Sequence, residues 1–164
     1  MQIRTEQAGD IDAIRDLTTA AFKSAPHSSG SEAAIVDSLR EAGELAVSLV
    51  ADLDGEVVGH VAFSPVQIDV AEGDWYGLGP VSVAPAHQGR GIGQALIRQG
   101  LERLETLGAA GCVVLGEPAY YGRFGFQSDP QLRYGEAPAA YFQRLVFKGP
   151  GPSGQARFHA AFEA

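Results

Sequence analysis

Apolar and polar residues recur with period two in some stretches and period 3.6 in others, and this divides the chain into strands and helices. Gln2–Glu6 alternates and predicts a short first strand. From Asp10 to Lys23, Ile11, Ile14, Leu17, Ala21 and Phe22 share one helical face, with Asp10 placed as the cap. A loop over Ser24–Ser29 leads to a second helix whose stripe is Ala34, Ile35, Leu39 and Ala42. Leu45–Asp52 predicts a second strand, and Asp54-Gly55 predicts a tight hairpin, because such turns need positive φ at both central residues. The third strand, Glu56–Val70, contains Pro65, which lacks an N–H for the ladder and so predicts a bulge or an edge position.

After a turn at Glu72-Gly73-Asp74, Trp75–Val83 reads as a fourth strand. A glycine-punctuated turn runs from it into a helix ending near Leu107, with Leu96, Ile97, Gly100, Leu101 and Leu104 facing inward and Gly108 as terminator. Gly111–Leu115 is an apolar fifth strand, followed by a short helix at Tyr120-Tyr121. A short helix near Ala139–Phe142 and a strand near Arg144–Phe147 complete residues 1–148. Gly149–Gly154 reads as a linker, and Gln155–Phe162, with Phe158 and Phe162, as an extension docking on the same domain as an edge piece. A helix crossing between strands four and five places them side by side and parallel, so the pattern is mixed α/β.

At 164 residues, 45% hydrophobic and 20% charged, the chain is one globular domain. No apolar run approaches the about 20 residues of a membrane span, and Met1–Glu6 lacks the basic-then-apolar build of a signal peptide. Cys112 is the only cysteine, which suits a reducing cytoplasm. A formal net charge of −8 disfavours nucleic acid or an anionic membrane as partner. His27, His60, His87 and His159 are scattered, and no spacing resembles a metal site.

The chemistry concentrates at residues 85–98. A helix start leaves its first N–H groups unpaired and carries the positive end of the macrodipole, and glycines let a diphosphate approach them. Gln88, Gly89, Arg90, Gly91 and Gly93 therefore form a candidate pyrophosphate cradle. A Walker-type loop is excluded, since Gln94-Ala95 follows Gly93 and the only lysines are Lys23 and Lys148. The dinucleotide fingerprint fits poorly, because the glycines are spaced Gly89-x-Gly91-x-Gly93.

Gln88-Gly89-Arg90-Gly91-Ile92-Gly93 does match, without a gap, the coenzyme A loop of the GNAT family of N-acetyltransferases, Gln/Arg-x-x-Gly-x-Gly/Ala. Downstream, Tyr121 stands four residues before Gly125 of the Gly125-Phe126 pair, as a tyrosine commonly does in that family. On these two motifs the chain resembles GNAT proteins over residues 2–148, and with Gly79-Pro80-Val81 before the loop and Pro118-Ala119-Tyr120-Tyr121-Gly122-Arg123-Phe124-Gly125-Phe126 after it, it looks like the YhbS-like subgroup of small bacterial acetyltransferases. One departure is the absence of the asparagine that many relatives carry after strand five; Gly116-Glu117-Pro118 stands there.

The resemblance implies a strongly twisted mixed sheet of six or seven strands, helices on both faces, and a splay between strands four and five. It implies acetyl-CoA as cosubstrate and a primary amine of a small molecule or protein as acceptor. The pantetheine arm would enter the splay along Val81, Ser82 and Val83, and the pyrophosphate would rest on Gln88, Gly89, Arg90, Gly91, Ile92, Gly93 and Gln94. The amine would attack the thioester directly, a backbone N–H near Val81 would polarise its carbonyl, and Tyr121 would return a proton to the departing sulfur. Tyr121 also reads as a packing aromatic beside Phe124 and Phe126, and Tyr120 is its adjacent alternative.

Glu117, His60 or water are the candidates for the base. Cys112 reads as core, Arg98 as solvated and His87 as a turn residue. The acceptor pocket is expected between the Lys23–Gly30 loop, the third-to-fourth strand region, and the segment after Phe126, with Phe22, His27, Trp75 and Tyr76 as wall residues. A coenzyme-binding sensor without turnover, transfer of a longer acyl chain, and a monomer or homodimer all stay open.

Overall fold

The computed structural model describes residues 1–23, 25 and 28–163. Its strands are β1 (Gln2–Thr5), β2 (Val47–Leu53), β3 (Glu56–Val70), β4 (Trp75–Val83), β5 (Gly111–Leu115), β6 (Gln127–Ser128), β7 (Leu132–Arg133), β8 (Phe142–Val146) and β9 (Ser153–Arg157). Its helices are α1 (Ile11–Phe22), α2 (Glu32–Glu41), α3 (Ile92–Thr106) and the single turn α4 (Pro118–Tyr121). The strands form one mixed sheet whose main path runs β1-β2-β3-β4-β5-β8-β6. Every neighbour on that path is antiparallel except β4 and β5, which the α3 crossover makes parallel.

Among the described residues the sheet has nine strands rather than six or seven. The additions are the two-residue β6 and β7, too short to show an alternation, and β9. Ser153 and Gly154 are not linker but open β9, which pairs antiparallel with the far half of β3 and parallel with β7. Between the partners of β3, Pro65 sits where β2 has ended at Phe63 and β9 has not begun at Gln67, so its missing N–H leaves no ladder bond unmade. The β2–β3 turn has φ of 53° at Asp54 and 88° at Gly55, the two positive values the hairpin requires.

Period two sorts the sheet residues between two helical layers. Val61 and Phe63 face α3, whose Leu96, Ile97, Leu101 and Leu104 fill the main core with Leu49, Leu78 and Val114. The Phe63 ring occupies the space that a side chain on Gly100 would take. Val50 and His60 face the other way, where Ile14 of α1 and Val36 of α2 pack. On α2 the buried residues are Ile35, Val36 and Leu39; Ala34 and Ala42 are exposed, because the stripe lies one position over from the expected one. Asp10 does not cap α1. A preceding 3-10 turn already holds it in helical geometry, and its carboxylate accepts from the Arg4 guanidinium (2.7 Å) and the Gln7 N–H (2.7 Å) instead.

Candidate active site

The site begins where β4 leaves β5. The two strands pair only at Trp75↔Gly111, Tyr76↔Cys112 and Gly77↔Val113, and β4 then continues six residues further to Val83 without β5. Opposite β3, the register slips between Val61↔Val81 and Phe63↔Leu78, so Gly79-Pro80 forms a bulge against Ala62. Proline, with no N–H to offer, stands where the ladder is broken. Beyond the bulge the antiparallel pairing resumes, and Ala84 N–H donates to Val58 C=O at 2.8 Å.

Alternation from that bond aims the Ser82 N–H and C=O at β3 and those of Val81 and Val83 into the opening. The side-chain amide of Gln88 reaches the Val83 carbonyl from that side at 3.1 Å. Ser82 does not belong to the opening. Its backbone pairs with β3 and its buried hydroxyl donates to Thr18 of α1 at 3.3 Å.

Three cavities follow the opening in series. The first, about 290 Å³, is the cradle: Gln88, Gly89, Gly91, Ile92, Gly93 and Gln94 line it together with Val83, His87 and Tyr120. Gly89 and Gly91 both have φ of 79°, the left-handed conformation that side chains resist, and Gly91 is the N-cap of α3. The amides opening a 15-residue helix have no acceptor within it, so this end of α3 suits an anion. Ile92 contributes backbone only, because its side chain is buried in the main core against Gly59. Arg90 is exposed on the turn and is not among the residues lining the cradle cavity. His87, read from sequence as a turn residue, lines the cradle with a buried Nδ1 that has no hydrogen-bond partner among the described residues.

The second cavity, about 270 Å³, runs from Gln88 and Gly93 along Val83 and Val81 to Phe22 and Tyr121. A Cβ on Gly93 would stand 3.6 Å from both the Tyr120 hydroxyl and Val83, so glycine keeps this passage open. The third, about 440 Å³, shares Phe22, Val81 and Tyr121 with the second and continues past Pro80 and Leu78 to Tyr134, Phe158 and Phe162. Tyr121 thus borders both the narrow passage and the wide chamber. Burial pushes its phenol up to about 12, so it holds its proton throughout the neutral range. It packs edge-on to Tyr120 (5.0 Å between centroids) and Phe126 (6.1 Å), so it is a packing aromatic as well as a border of the cavities.

The sequence candidates for a base do not reach these cavities. Glu117 is exposed, and its role is to start α4 through its carbonyl, which accepts from the Tyr120 and Tyr121 amides (both 3.0 Å). His60 is fully buried on the α1/α2 face, bonded to the Ser48 hydroxyl at 2.8 Å and 3.8 Å from Glu6. Burial lowers its pKa to about 4, leaving it neutral. Cys112 is wholly buried, which raises its thiol pKa far above neutrality and makes it inert. Arg98 is exposed but not merely solvated: its guanidinium lies 4.9 Å from the Phe124 ring centroid.

Of the expected wall residues, Phe22 lines the chamber and His27 lies outside the described residues. Trp75 and Tyr76 do not line it; Trp75 is buried against Gly111 in the second core. The sequence reading did not name Glu32, Ile35, Leu78 or Leu115, while Tyr134, Phe158 and Phe162 fall in the segment after Phe126 that it expected to contribute. The spaced aromatics of the C-terminal stretch were the one available signal. Among the described residues, no cluster of three His, Cys, Asp or Glu side chains is placed to hold a metal, and no helix is long and apolar enough to cross a membrane.

Residues 11–126 match the family model of the acetyltransferase (GNAT) family. The uncharacterized N-acetyltransferase YhbS of Escherichia coli K12 is 41% identical over 128 residues, spanning 77% of this chain and 74% of that protein. A GNAT family acetyltransferase from Brucella melitensis, solved in complex with acetyl-CoA, superposes with a TM-score of 0.87 at 52% identity over 98% of this chain and 97% of its own. Escherichia coli YhbS in complex with CoA superposes with a TM-score of 0.90 at 35% identity over 99% and 92%.

Proposed function

The chain belongs to the acetyltransferase (GNAT) family, and we propose that it transfers the acetyl group of acetyl-CoA to a primary amine by direct attack on the thioester. The observation that carries this reading is the continuity of the three cavities, with Tyr121 at the last junction. The two relatives solved with acetyl-CoA and CoA support the same cosubstrate.

The pyrophosphate would sit on the amides of Gly89, Gly91 and the first turn of α3. The pantetheine amides would pair with the free main-chain groups of Val81 and Val83, adding an extended strand beside β4, with the Gln88 amide yielding the Val83 carbonyl. The thioester would then lie between Val81 and Tyr121. An alkyl ammonium of pKa about 10.4 must first lose a proton. With Glu117 and His60 both away from the chamber, that proton leaves through water. The neutral nitrogen attacks the carbonyl carbon, the Val81 N–H stabilises the oxyanion, the C–N bond forms and the C–S bond breaks. The CoA thiolate takes the Tyr121 proton, and the tyrosinate recovers one from solvent.

Thiol release from acetyl-CoA, measured with and without amines, tests this. Release that depends on an amine and yields the N-acetyl product supports it. Coenzyme binding with no release from a broad amine panel would make the protein a coenzyme sensor instead.

A further inference from the structure

Resting on the acetyltransferase reading, we infer that the wide chamber selects a small primary amine carried on an aromatic or similarly bulky apolar body, with Glu32 holding its ammonium group. The chamber, at about 440 Å³, is of small-molecule size. Its walls bring together four elements distant in sequence: Phe22 ends α1, Pro80 marks the β4 bulge, Tyr134 follows β7, and Phe158 and Phe162 follow β9. Such a lining rewards apolar surface removed from water.

The rings are held rather than loose. Tyr134 and Phe158 lie 4.8 Å apart, Phe158 and Phe162 5.2 Å apart, and the fully buried Phe142 supports Tyr134 at 5.5 Å. Phe158 fills the space a Cβ on Gly77 would need, on the strand just before the bulge. A planar body can stack among these rings, and their faces also attract a cation.

Among the described residues that line the chamber, Glu32 is the charged one. Its carboxylate accepts from the Ser28 hydroxyl at 2.7 Å and from the Ser29 N–H at 3.3 Å. Burial favours its neutral form, but these hydrogen bonds outweigh that and hold its pKa below the ordinary value. An acid so held stays ionised and is a poor proton acceptor, which fits docking the incoming ammonium, whose proton must still leave through water before the nitrogen attacks. A carboxylate oxygen has two lone pairs, and Oε1 takes one side-chain bond from Ser28, leaving room for a donor from the ligand. A diamine or polyamine brings no apolar body to fill this lining and would have to shed water from a second ammonium against it.

The test compares 2-phenylethylamine, putrescine, spermidine and a short lysine peptide as acceptors at fixed acetyl-CoA, using the full-length protein. The inference predicts a kcat/KM for 2-phenylethylamine at least tenfold above each of the others. It also predicts that Glu32→Gln raises the KM for 2-phenylethylamine tenfold or more, with a much smaller change in kcat and unchanged CoA affinity, whereas Phe158→Leu weakens the preference over putrescine. Turnover that favours putrescine, spermidine or the peptide, or a Glu32→Gln KM equal to wild type, would overturn the inference while leaving the acetyltransferase reading intact. No turnover of any amine would overturn both.

Discussion

The Tyr121 ring occupies the space a side chain on Gly116 would need: a Cβ built there would collide with Cε2 and stand 2.9 Å from Cδ2. Gly116 follows β5, its N–H donates to the Tyr141 carbonyl at 2.9 Å, and its own carbonyl accepts from the buried Gln143 side chain at 3.1 Å. The position is therefore fixed from β8, and the absence of a side chain sets where the phenol sits. Gly116→Ala pushes Tyr121 toward the passage. The expected result is a kcat loss of roughly 10–100-fold, typical of a misplaced reactive group, with CoA affinity nearly unchanged. Steady-state kinetics paired with calorimetry check it.

Tyr121→Phe removes the proton and keeps the packing. A positioned general acid contributes roughly 10²–10⁴-fold, and the loss should fall on kcat, with little change in coenzyme affinity. Because burial holds this phenol at about 12, the wild-type pH–rate profile should show no falling limb near the ordinary tyrosine value of about 10. Equal losses of kcat and coenzyme affinity would make Tyr121 structural only.

Gly91→Ala places a side chain at φ of 79°, which costs roughly 1–2 kcal/mol. Since that strain sits on the N-cap of α3, a lower melting temperature and weaker CoA binding should appear together. Arg90→Ala, one residue earlier but outside the cavity lining, should change binding far less. Thermal denaturation and calorimetry on the two variants separate these cases.

The cradle and the fold were legible because their signals are local. Glycines at 89, 91 and 93 ahead of an amphipathic helix announce a helix start that accepts an anion. Pro80 announces a break in a ladder, and the Asp54-Gly55 pair a hairpin. The acceptor chamber was only partly legible, because its walls come from α1, α2, β4, β5 and two stretches near residues 134 and 160 that no local period connects. Ser82 was misread for the opposite reason. It shares a strand with Val81 and Val83, but a bulge two residues earlier settles which backbone groups point outward, and the sequence alone left that parity open. His60 looked available on a strand only because the sequence does not show α1 and α2 lying over it.

Acid stability provides a check on that buried histidine. His60 is held at about 4 in the fold, against an ordinary 6.5, with burial as the main cause. A lowered value means the unfolded chain takes up the proton first as pH falls. The associated stability is complete above pH 6.5 and drains away down to about pH 4, on the order of 3 kcal/mol in all. Glu6, whose pKa is lowered by hydrogen bonds from Arg40 and Ser48 that outweigh its burial, adds its own loss below the ordinary carboxylate value. Denaturant titrations should show His60→Gln with a flatter pH dependence than wild type between pH 6.5 and 4, whatever its absolute stability.

A crystal structure with bound acetyl-CoA tests the central claim most directly. The account predicts the pyrophosphate on the amides between Gly89 and Gln94, the pantetheine beside Val81 and Val83, and the sulfur within hydrogen-bond reach of the Tyr121 hydroxyl. A separate cavity of about 410 Å³ lies between Arg40, Leu45 and Arg103, outside the three-cavity track. Coenzyme seated there, with the opening between β4 and β5 empty, would contradict the account.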